Sequence, residues 1–291
     1  MKKNALLPVA LLAVLCLTMT SAAPPASQTR QIVDNMLNTI AHHTGATFTM
    51  NAAERIVGKG NEFNKMSMFT KVNVNPLKIY AKVLSDPNKG TELLYVTGQR
   101  DNKIRVNPGK FLPSLTLAPT SNLLSKNQHH TLLTSGFSVV RDIVSAGVKR
   151  ADAQGGFDKV FTLLGEVNYN GRKCYKLQIE DPTYAYVNAT GQNGETVNSM
   201  AKRLLVSEYH IMELNPAYRS LDASVAGKTL KVPSSYAKKS IMYVDAATNI
   251  PLYQEMSDEK GIFEKYEYSN VVLNPAYKAD EFTEKFSEYG F

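Results

Sequence analysis

Apolar and polar residues alternate with two different periods along the chain, and the change of period separates helices from strands. Over residues 28–43 the apolar positions fall on one helical face, which predicts a helix packed on a sheet. From residue 46 the period becomes two, so Phe48, Met50 and Ala52 share one side of a strand. Residues 135–153 return to helical spacing and predict a second helix.

Further alternating segments, separated by turn residues, predict an antiparallel sheet. Asn170-Gly171 joins two of these segments and is the strongest hairpin signal in the chain. The pattern contains no regular alternation of strand with helix. It therefore predicts an α+β fold, in which a large curved antiparallel sheet (a half-barrel) is covered by helices. The predicted strands that follow the first one are 65–74, 78–84, 91–97, 103–106, 159–167, 173–179, 240–245, 251–257 and 263–272.

A short helical unit interrupts the sheet pattern between residues 182 and 236. Ser207 is a good N-cap for a helix, and Asn215-Pro216 is a helix stop signal. We therefore predict a small inserted βααβ module. Its elements are a strand at 184–187, helices over 198–205 and 208–214, and a strand at 229–232.

The first 22 residues have the pattern of a secretory signal peptide. Basic residues at the start precede a short apolar run and a stretch of small residues, and we expect cleavage after Ala22. Cys16 follows a leucine where lipid attachment requires a small residue, which argues against a lipid anchor. No later apolar run approaches the roughly 20 residues that a spanning helix needs. We expect an exported protein of the periplasm or envelope that is not transmembrane.

Charge and cysteine content narrow the possible functions. Without Lys2 and Lys3 the chain has 31 basic and 26 acidic residues, and its net charge of +5 is spread along the sequence. This excess suits a protein near anionic lipid or cell-wall polymer, but no basic patch indicates nucleic-acid binding. Once Cys16 is removed, Cys174 is the only cysteine, so no intramolecular disulfide can form. Its alternating neighbours predict a packed thiol.

Candidate catalytic and metal-binding residues lack the spacing that their chemistry requires. His42-His43 and His129-His130 are chain neighbours whose side chains point in different directions, and no HExxH motif accompanies them. They are interpreted as solvated ends of a helix and a loop. The acidic pairs Glu180-Asp181 and Asp258-Glu259 fall at predicted turns, where solvated charge is expected. We predict no catalytic residue, no metal site and no cofactor.

The inserted module resembles the LysM family of small βααβ carbohydrate-binding domains. The resemblance lies in Gly-Glu-Thr-Val at 194–197, Met200-Ala201, Leu-Asn-Pro at 214–216 and Gly-Lys-Thr-Leu-Lys-Val-Pro at 227–233. In that family a groove between two loops binds N-acetylglucosamine polymers such as peptidoglycan. The long loop at 217–226 departs from the family pattern.

The LysM resemblance implies a carbohydrate site with two sides. Thr196 could contribute a hydroxyl group to the sugar, and Tyr218 an aromatic face. Alternatively, Thr196 and Asn215 serve only as a helix cap and a helix stop. The implied site consists of Gly194, Glu195, Thr196 and Val197 on one side and Asn215, Pro216, Ala217 and Tyr218 on the other.

The host sequence resembles the periplasmic lipoprotein-carrier (LolA/LolB-like) superfamily, specifically a bacterial branch with no assigned function. Residues 241–282 carry a strand ending in Val-Asp, then Thr-x-x-Pro, an acidic-glycine turn, Tyr-x-Tyr-Ser-Asn and Asp-x-Phe, and residues 80–108 add to the resemblance. That superfamily forms an open half-barrel whose concave apolar face receives acyl chains. The resemblance implies an apolar cavity, although the same residues also suit an ordinary core. Its candidate lining residues are Phe69, Tyr80, Leu94, Phe137, Tyr243 and Tyr253.

These features predict a noncatalytic envelope protein that binds peptidoglycan and a lipid or acylated lipoprotein. The predicted organisation is a signal peptide at 1–22, a discontinuous half-barrel domain at 23–181 and 237–291, and a LysM-like module at 182–236. One alternative is a cell-wall enzyme, which two close titratable residues in a cleft would support. Another is a structural adaptor with a filled core, against which an apolar void would count.

Overall fold

The computed structural model describes residues 27–109 and 112–291, so the predicted signal peptide, with Cys16 and Ala22, lies outside the described residues. The helices are α1 (Gln28–His42), α2 (Asn122–Ser125), α3 (Ser138–Ala153), α4 (Phe157–Val160), α5 (Val197–Leu204) and α6 (Glu208–Leu214). The first six strands are β1 (Gly45–Arg55), β2 (Phe63–Asn73), β3 (Lys78–Val83), β4 (Glu92–Val96), β5 (Ile104–Asn107) and β6 (Leu115–Leu117). The others are β7 (Phe161–Tyr169), β8 (Arg172–Glu180), β9 (Tyr186–Thr190), β10 (Thr229–Pro233), β11 (Lys239–Asp245), β12 (Pro251–Asp258) and β13 (Gly261–Leu273).

Eleven strands form one open, curved antiparallel sheet in the order β6-β5-β4-β3-β2-β1-β13-β12-β11-β8-β7. The predicted α+β fold is confirmed. Hairpin turns connect most pairs of neighbouring strands. The turn between β7 and β8 shows how the sequence favours such a turn. Asn170 and Gly171 both have positive φ angles, 51° and 78°, as a two-residue hairpin turn of the primed type requires.

Helices α1 and α3 cover the concave face of the sheet. The apolar face of α1 buries Ile32, Val33, Met36 and Ile40, as the sequence pattern predicted. These residues join α3 and the concave side chains of the sheet in one large apolar core, which includes Phe48 and Phe137. A cover segment, defined as residues 118–137, continues this layer between β6 and α3 with the short helix α2 and a single 3-10 turn.

The convex face of the sheet is covered in part by the C-terminal segment. Residues after β13 fold back over β3 and β4, where the ring of Tyr289 stacks on Tyr80 at a centroid distance of 3.6 Å. Phe282 packs with Tyr80 and Leu94 in a separate apolar cluster. The central strands are therefore buried on both faces.

The inserted unit has the predicted βααβ order. Strands β9 and β10 pair antiparallel in a two-stranded sheet of their own, and α5 and α6 lie between them in the chain. The unit has its own apolar cluster, which includes Met200, Ile211 and Leu230. Tyr209 of α6, however, belongs to the large core of the half-barrel. The module is therefore packed against the host rather than joined to it by the chain alone.

Candidate functional site

The concave face of the half-barrel contains a cavity of about 360 Å³ between the sheet and its helical cover. A volume of this size lies in the usual range for small-molecule sites. The sheet provides most of its floor, and the cover segment with α3 provides its roof. Apolar lining residues besides methionines include Val83, Leu93, Val106, Leu115, Leu117, Leu123, Leu124, Leu132, Val139, Val140, Ile143 and Val144.

Methionine is concentrated in this cavity. Five of the ten methionines in the chain line it, namely Met50, Met66, Met68, Met242 and Met256. A methionine side chain is flexible and polarizable, so it adapts its shape to different apolar partners. A wall of methionines is therefore suited to an apolar chain of variable shape.

The cavity opens beside β6, the edge strand of the sheet. Leu115 on β6 and Leu123 on α2 both line it, and they are 42% and 76% exposed. Two exposed leucines at the rim of an apolar cavity form an apolar entrance. An apolar ligand that enters between these two leucines would meet no charged side chain at either position.

One wall of the cavity is polar, and Glu264 on β13 stands behind it. This carboxylate is completely buried and has three hydrogen-bond partners. His129 Nδ1 lies 2.7 Å from one oxygen, and the hydroxyl groups of Ser207 and Tyr236 donate to the carboxylate at 2.8 and 2.6 Å. Glu264 thus joins the sheet, the cover segment and the inserted module at one point.

His130 faces the cavity beside this carboxylate. Its Nδ1 lies 2.9 Å from an oxygen of Glu208 on α6, and its Nε2 lies 2.8 Å from the Tyr236 hydroxyl. Burial lowers the pKa of His130, but the carboxylates of Glu208 and Glu264 outweigh that effect and raise it well above 6.5. Burial raises the pKa of Glu264, and the two histidines bring it well below 4.5. The wall therefore holds paired, opposite charges.

A second buried ion pair lies where α6 meets the sheet. The guanidinium of Arg55 donates to Asp258 at 2.9 Å and to the carbonyl oxygens of Gly261 and Ile262. Burial raises the pKa of Asp258, yet hydrogen bonds from His210 and Arg55 lower it to about 2. His210 of the module thus meets Asp258 of the half-barrel at 3.4 Å, and both side chains are almost fully buried.

This arrangement corrects the interpretation of the histidine and acidic pairs as solvated. His43, His129, His210 and Asp258 are buried, and His130 is half-buried, whereas His42 is exposed as expected. The burial of His129 and His130 was missed because the cover segment has neither a helical nor a strand pattern, and His43, His210 and Asp258 are buried by tertiary contacts that chain position does not show. Among the described residues, no group of His, Cys, Asp or Glu side chains has a geometry that could hold a metal ion.

The structure places the predicted cavity residues away from the cavity lining. Phe69, Tyr80 and Leu94 lie on the convex face, under the C-terminal segment. Tyr243 and Tyr253 stack on each other at 4.5 Å, on the opposite side of their strands from the lining residues Met242 and Gln254. Phe137 is fully buried in the core and packs on Phe48. Five of these six residues thus lie on strands, on the face that points away from the cavity lining.

The residues of the predicted carbohydrate site lie in one module, but their polar groups are engaged within it. Thr196 forms a capping box with Ser199 on α5. Glu195 pairs with Arg203 at 2.5 Å, and the Asn215 amide bonds the backbone of Ile211 and Lys231.

The long loop at 217–226 covers the first side of this predicted site. The N–H groups of Val197 and Asn198 donate to Ala223 and Leu221 in the loop, both at 3.0 Å. Tyr218 is partly buried and packs on the cluster that contains Val197. Gly194, Pro216 and Ala217 are exposed. The binding role of these eight residues stays a prediction.

Solved structures similar to this chain include MucB, a mycobacterial lipoprotein and one protein described as a member of the LolA superfamily. MucB is 12% identical with a TM-score of 0.43, and the match covers 90% of this chain and 64% of MucB, so the chain spans less than two thirds of that protein. The Mycobacterium tuberculosis lipoprotein LppX is 11% identical with a TM-score of 0.39, and the match covers 86% and 97% of the two chains. A LolA superfamily protein from Nitrosomonas europaea is 9% identical with a TM-score of 0.29, over 89% and 99%.

The chain belongs to the family described as "Protein of unknown function (DUF1571)", whose model matches residues 43–190. This match runs from the end of α1 to the end of β9 and includes the sheet strands β1 to β8. No curated protein matches the chain. Within the described residues, no helix has the length and apolar character needed to cross a membrane.

Proposed function

We propose that the protein is a noncatalytic binding protein of the bacterial cell envelope, which holds an apolar ligand, such as a lipid or the acyl chain of a lipoprotein, in its half-barrel. The observation that carries this proposal is the cavity of about 360 Å³ lined by methionine and aliphatic side chains. Protein cores are normally packed as densely as organic crystals, with few voids larger than a water molecule. An apolar void of this size counts against a structural adaptor with a filled core.

The ligand proposal is tested by filling the cavity. Val140 on α3 lines it, and Val140→Trp puts an indole into the space. Val272→Trp is the matched control, because Val272 is on the sheet but exposed and outside the lining. The neutral fluorophore N-phenyl-1-naphthylamine should bind the wild type and the control, and Val140→Trp should bind it much more weakly. Equal binding by all three proteins, or none by the wild type, would exclude the cavity as the site.

The natural ligand is identified by native mass spectrometry. Mature protein purified from the envelope of the producing bacterium should carry an apolar adduct that organic solvent removes. The Val140→Trp protein should lack this adduct and the Val272→Trp protein should retain it. An adduct on all three would have to lie outside the cavity.

The inserted unit is proposed to bind peptidoglycan. Its βααβ order and antiparallel β9–β10 pairing agree with the LysM-like pattern. Because the loop at 217–226 already uses the Val197 and Asn198 amides, sugar contacts would have to come from other groups, such as the exposed Gly194 and Pro216 backbone and the Tyr218 ring. The same proposal includes the domain limits. The module comprises residues 182–236, and the half-barrel domain comprises residues 23–181 and 237–291.

A pull-down on insoluble peptidoglycan tests the module. Thr196→Ala/Tyr218→Ala should lose retention, whereas Thr229→Ala/Tyr243→Ala, a change of the same two residue types elsewhere, should retain it. Circular dichroism checks that both variants remain folded, since loss of the Thr196 cap costs about 1 kcal/mol. Wild-type protein that stays in the supernatant would end the peptidoglycan proposal and leave the cavity proposal untouched.

A cell-wall enzyme is the second candidate, because two titratable groups with opposite pKa shifts stand beside the cavity. His130 Nε2 lies 3.6 Å from Glu264. Both ring nitrogens of His130 are already engaged, by Glu208 and Tyr236, so neither is free to take a proton from a nucleophile. We therefore favour binding over catalysis. Release of soluble fragments from peptidoglycan by the wild type but not by His130→Gln would reverse this preference.

A further inference from the structure

The part of the cover segment that lines the cavity, residues 128–136, is held in place by its side chains. Among the described residues, the main-chain groups of the cover segment bond within the segment or to the start of α3, as the Ser135 N–H does to the Leu132 carbonyl, rather than to the main chain of the sheet. Asn127 and Gly136 flank this stretch with positive φ angles of 60° and 99°. A loop with such ends and few main-chain bonds to its surroundings is a segment that can open locally.

His129 anchors this stretch to the sheet. Its main-chain N–H donates to Glu54 at 2.9 Å, and its Nδ1 lies 2.7 Å from Glu264. Its Nε2 lies 2.6 Å from the carbonyl oxygen of Arg55. The ring also stacks on Tyr209 of α6, with a centroid distance of 4.5 Å. The roof of the cavity is therefore packed against β1, β13 and the inserted module together.

His130 connects the same stretch to the module through hydrogen bonds that require a positive charge. Its Nδ1 lies 2.9 Å from the carboxylate of Glu208 on α6, which can only accept. Its Nε2 lies 2.8 Å from the hydroxyl of Tyr236, whose single proton is donated to Glu264 at 2.6 Å. Both ring nitrogens of His130 must then donate, so the ring is an imidazolium ion that Glu208 neutralises.

We propose that the inserted module controls the cavity: while α6 is seated on the half-barrel, Glu208 holds the cover segment closed over the ligand, and loss of this contact lets the segment lift and the ligand leave. This inference rests on the proposed function, since it requires a ligand in the cavity. Without Glu208 the buried charge of His130 would lose its partner, which disfavours the closed state. Coupling between two sites is reciprocal, so a ligand under the roof also favours the seated module.

The test compares Glu208→Gln with Glu213→Gln. Both glutamates lie on α6 and both join the module to the half-barrel, since Glu213 pairs with Lys260 at 2.9 Å and accepts from the Gly58 N–H at 2.8 Å. Neither Lys260 nor Gly58 belongs to the cover segment. Stopped-flow dissociation of N-phenyl-1-naphthylamine at pH 7 should be at least about tenfold faster in Glu208→Gln, because a hydrogen bond between charged groups becomes a weaker one. The control should dissociate at the wild-type rate.

Two results of this comparison would overturn the inference: an unchanged rate in Glu208→Gln, or an equal acceleration in both variants. Circular dichroism checks that both variants are folded.

Hydrogen exchange of the wild type tests the coupling without any substitution. Addition of N-phenyl-1-naphthylamine should slow the exchange of residues 128–136 and also that of α6, which contributes no side chain to the cavity lining. Slower exchange in the cover segment alone, with α6 unchanged, would overturn the inference and leave the proposed function standing. If the fluorophore does not bind the wild type at all, the proposed function itself fails.

Discussion

Glu264→Gln removes the charge that joins the three parts of the molecule. Glutamine has the same shape, but its amide group cannot accept the hydrogen bonds that the second carboxylate oxygen accepts. The wild-type oxygens receive donors from His129, Ser207 and Tyr236 at 2.6–2.8 Å. At least one of these donors must then face an N–H group, and His129 loses the negative charge that it contacts, whereas His130 keeps its pair with Glu208.

The size of the effect follows from the burial of Glu264, which is 0% exposed. Removing one partner of a buried ion pair costs about 3–5 kcal/mol. For a chain of this size, 1 kcal/mol corresponds to roughly 2–4 °C in Tm. We expect Tm to fall by roughly 6–20 °C at pH 7, measured by circular dichroism. Because the pKa of Glu264 is lowered, its stabilisation is present above the ordinary value of 4.5 and is lost as the pH falls through the folded-state pKa.

The matched control is Glu267→Gln on the same strand. Glu267 pairs with Lys265 at 2.9 Å, but both side chains are about one third exposed. A pair of this kind contributes about 0–1 kcal/mol, so Tm should change by no more than a few degrees. If Glu264→Gln lowers Tm no more than this control, the buried network does not hold the cover segment and the module on the sheet.

Three further predictions concern other parts of the structure. The raised pKa of His130 stabilises the fold fully below about pH 6.5 and less as the pH rises through its folded-state pKa, so His130→Gln should weaken the alkaline fall in Tm. His42 is exposed, so His42→Gln should leave the alkaline fall in Tm unchanged. Equal profiles of Tm against pH for the two variants would contradict the assignment of this fall to His130. Burial raises the pKa of the Cys174 thiol to about 11. Ellman's reagent at pH 8 should therefore label this thiol only after unfolding. Rapid labelling of the native protein would show that the thiol is accessible to solvent. A Cβ added at Gly191 would lie 2.0 Å from the carbonyl oxygen of Val225. Gly191→Ala should therefore destabilise the module by about 1–3 kcal/mol and lower the hydrogen-exchange protection of the Val225 amide. Unchanged protection would mean that the loop shifts freely.

The strands were predictable because a strand half-buried against a core repeats every two residues. The pattern predicted a strand at 263–272, and the structure has β13 at Gly261–Leu273. It also grouped Phe48, Met50 and Ala52 on one side of β1, where all three belong to the core or to its partly buried periphery. The short strand β6 and the cover segment at 118–137 were missed, because their backbone follows neither period for long.

The face of the sheet could not be assigned in the same way. Tyr80 and Leu94 are direct partners across β3 and β4, but they lie on the face away from the cavity. The central strands are apolar on both sides, however, because helices cover one face and the C-terminal segment covers part of the other. An apolar residue in such a strand carries no local signal of the side on which the sheet curves around a cavity.

The sequence by itself determined the α+β class, the position of most strands and the βααβ order of the insert, since each depends on hydrophobic periods and turn residues that act over a few neighbours. Only the tertiary structure decided where the cavity lies and which groups form its polar wall. His130, Glu208 and Glu264 come from a loop, a helix and a strand far apart in the chain. Their burial and hydrogen bonding depend on how the cover segment and α6 settle on the sheet, and no local pattern encodes that.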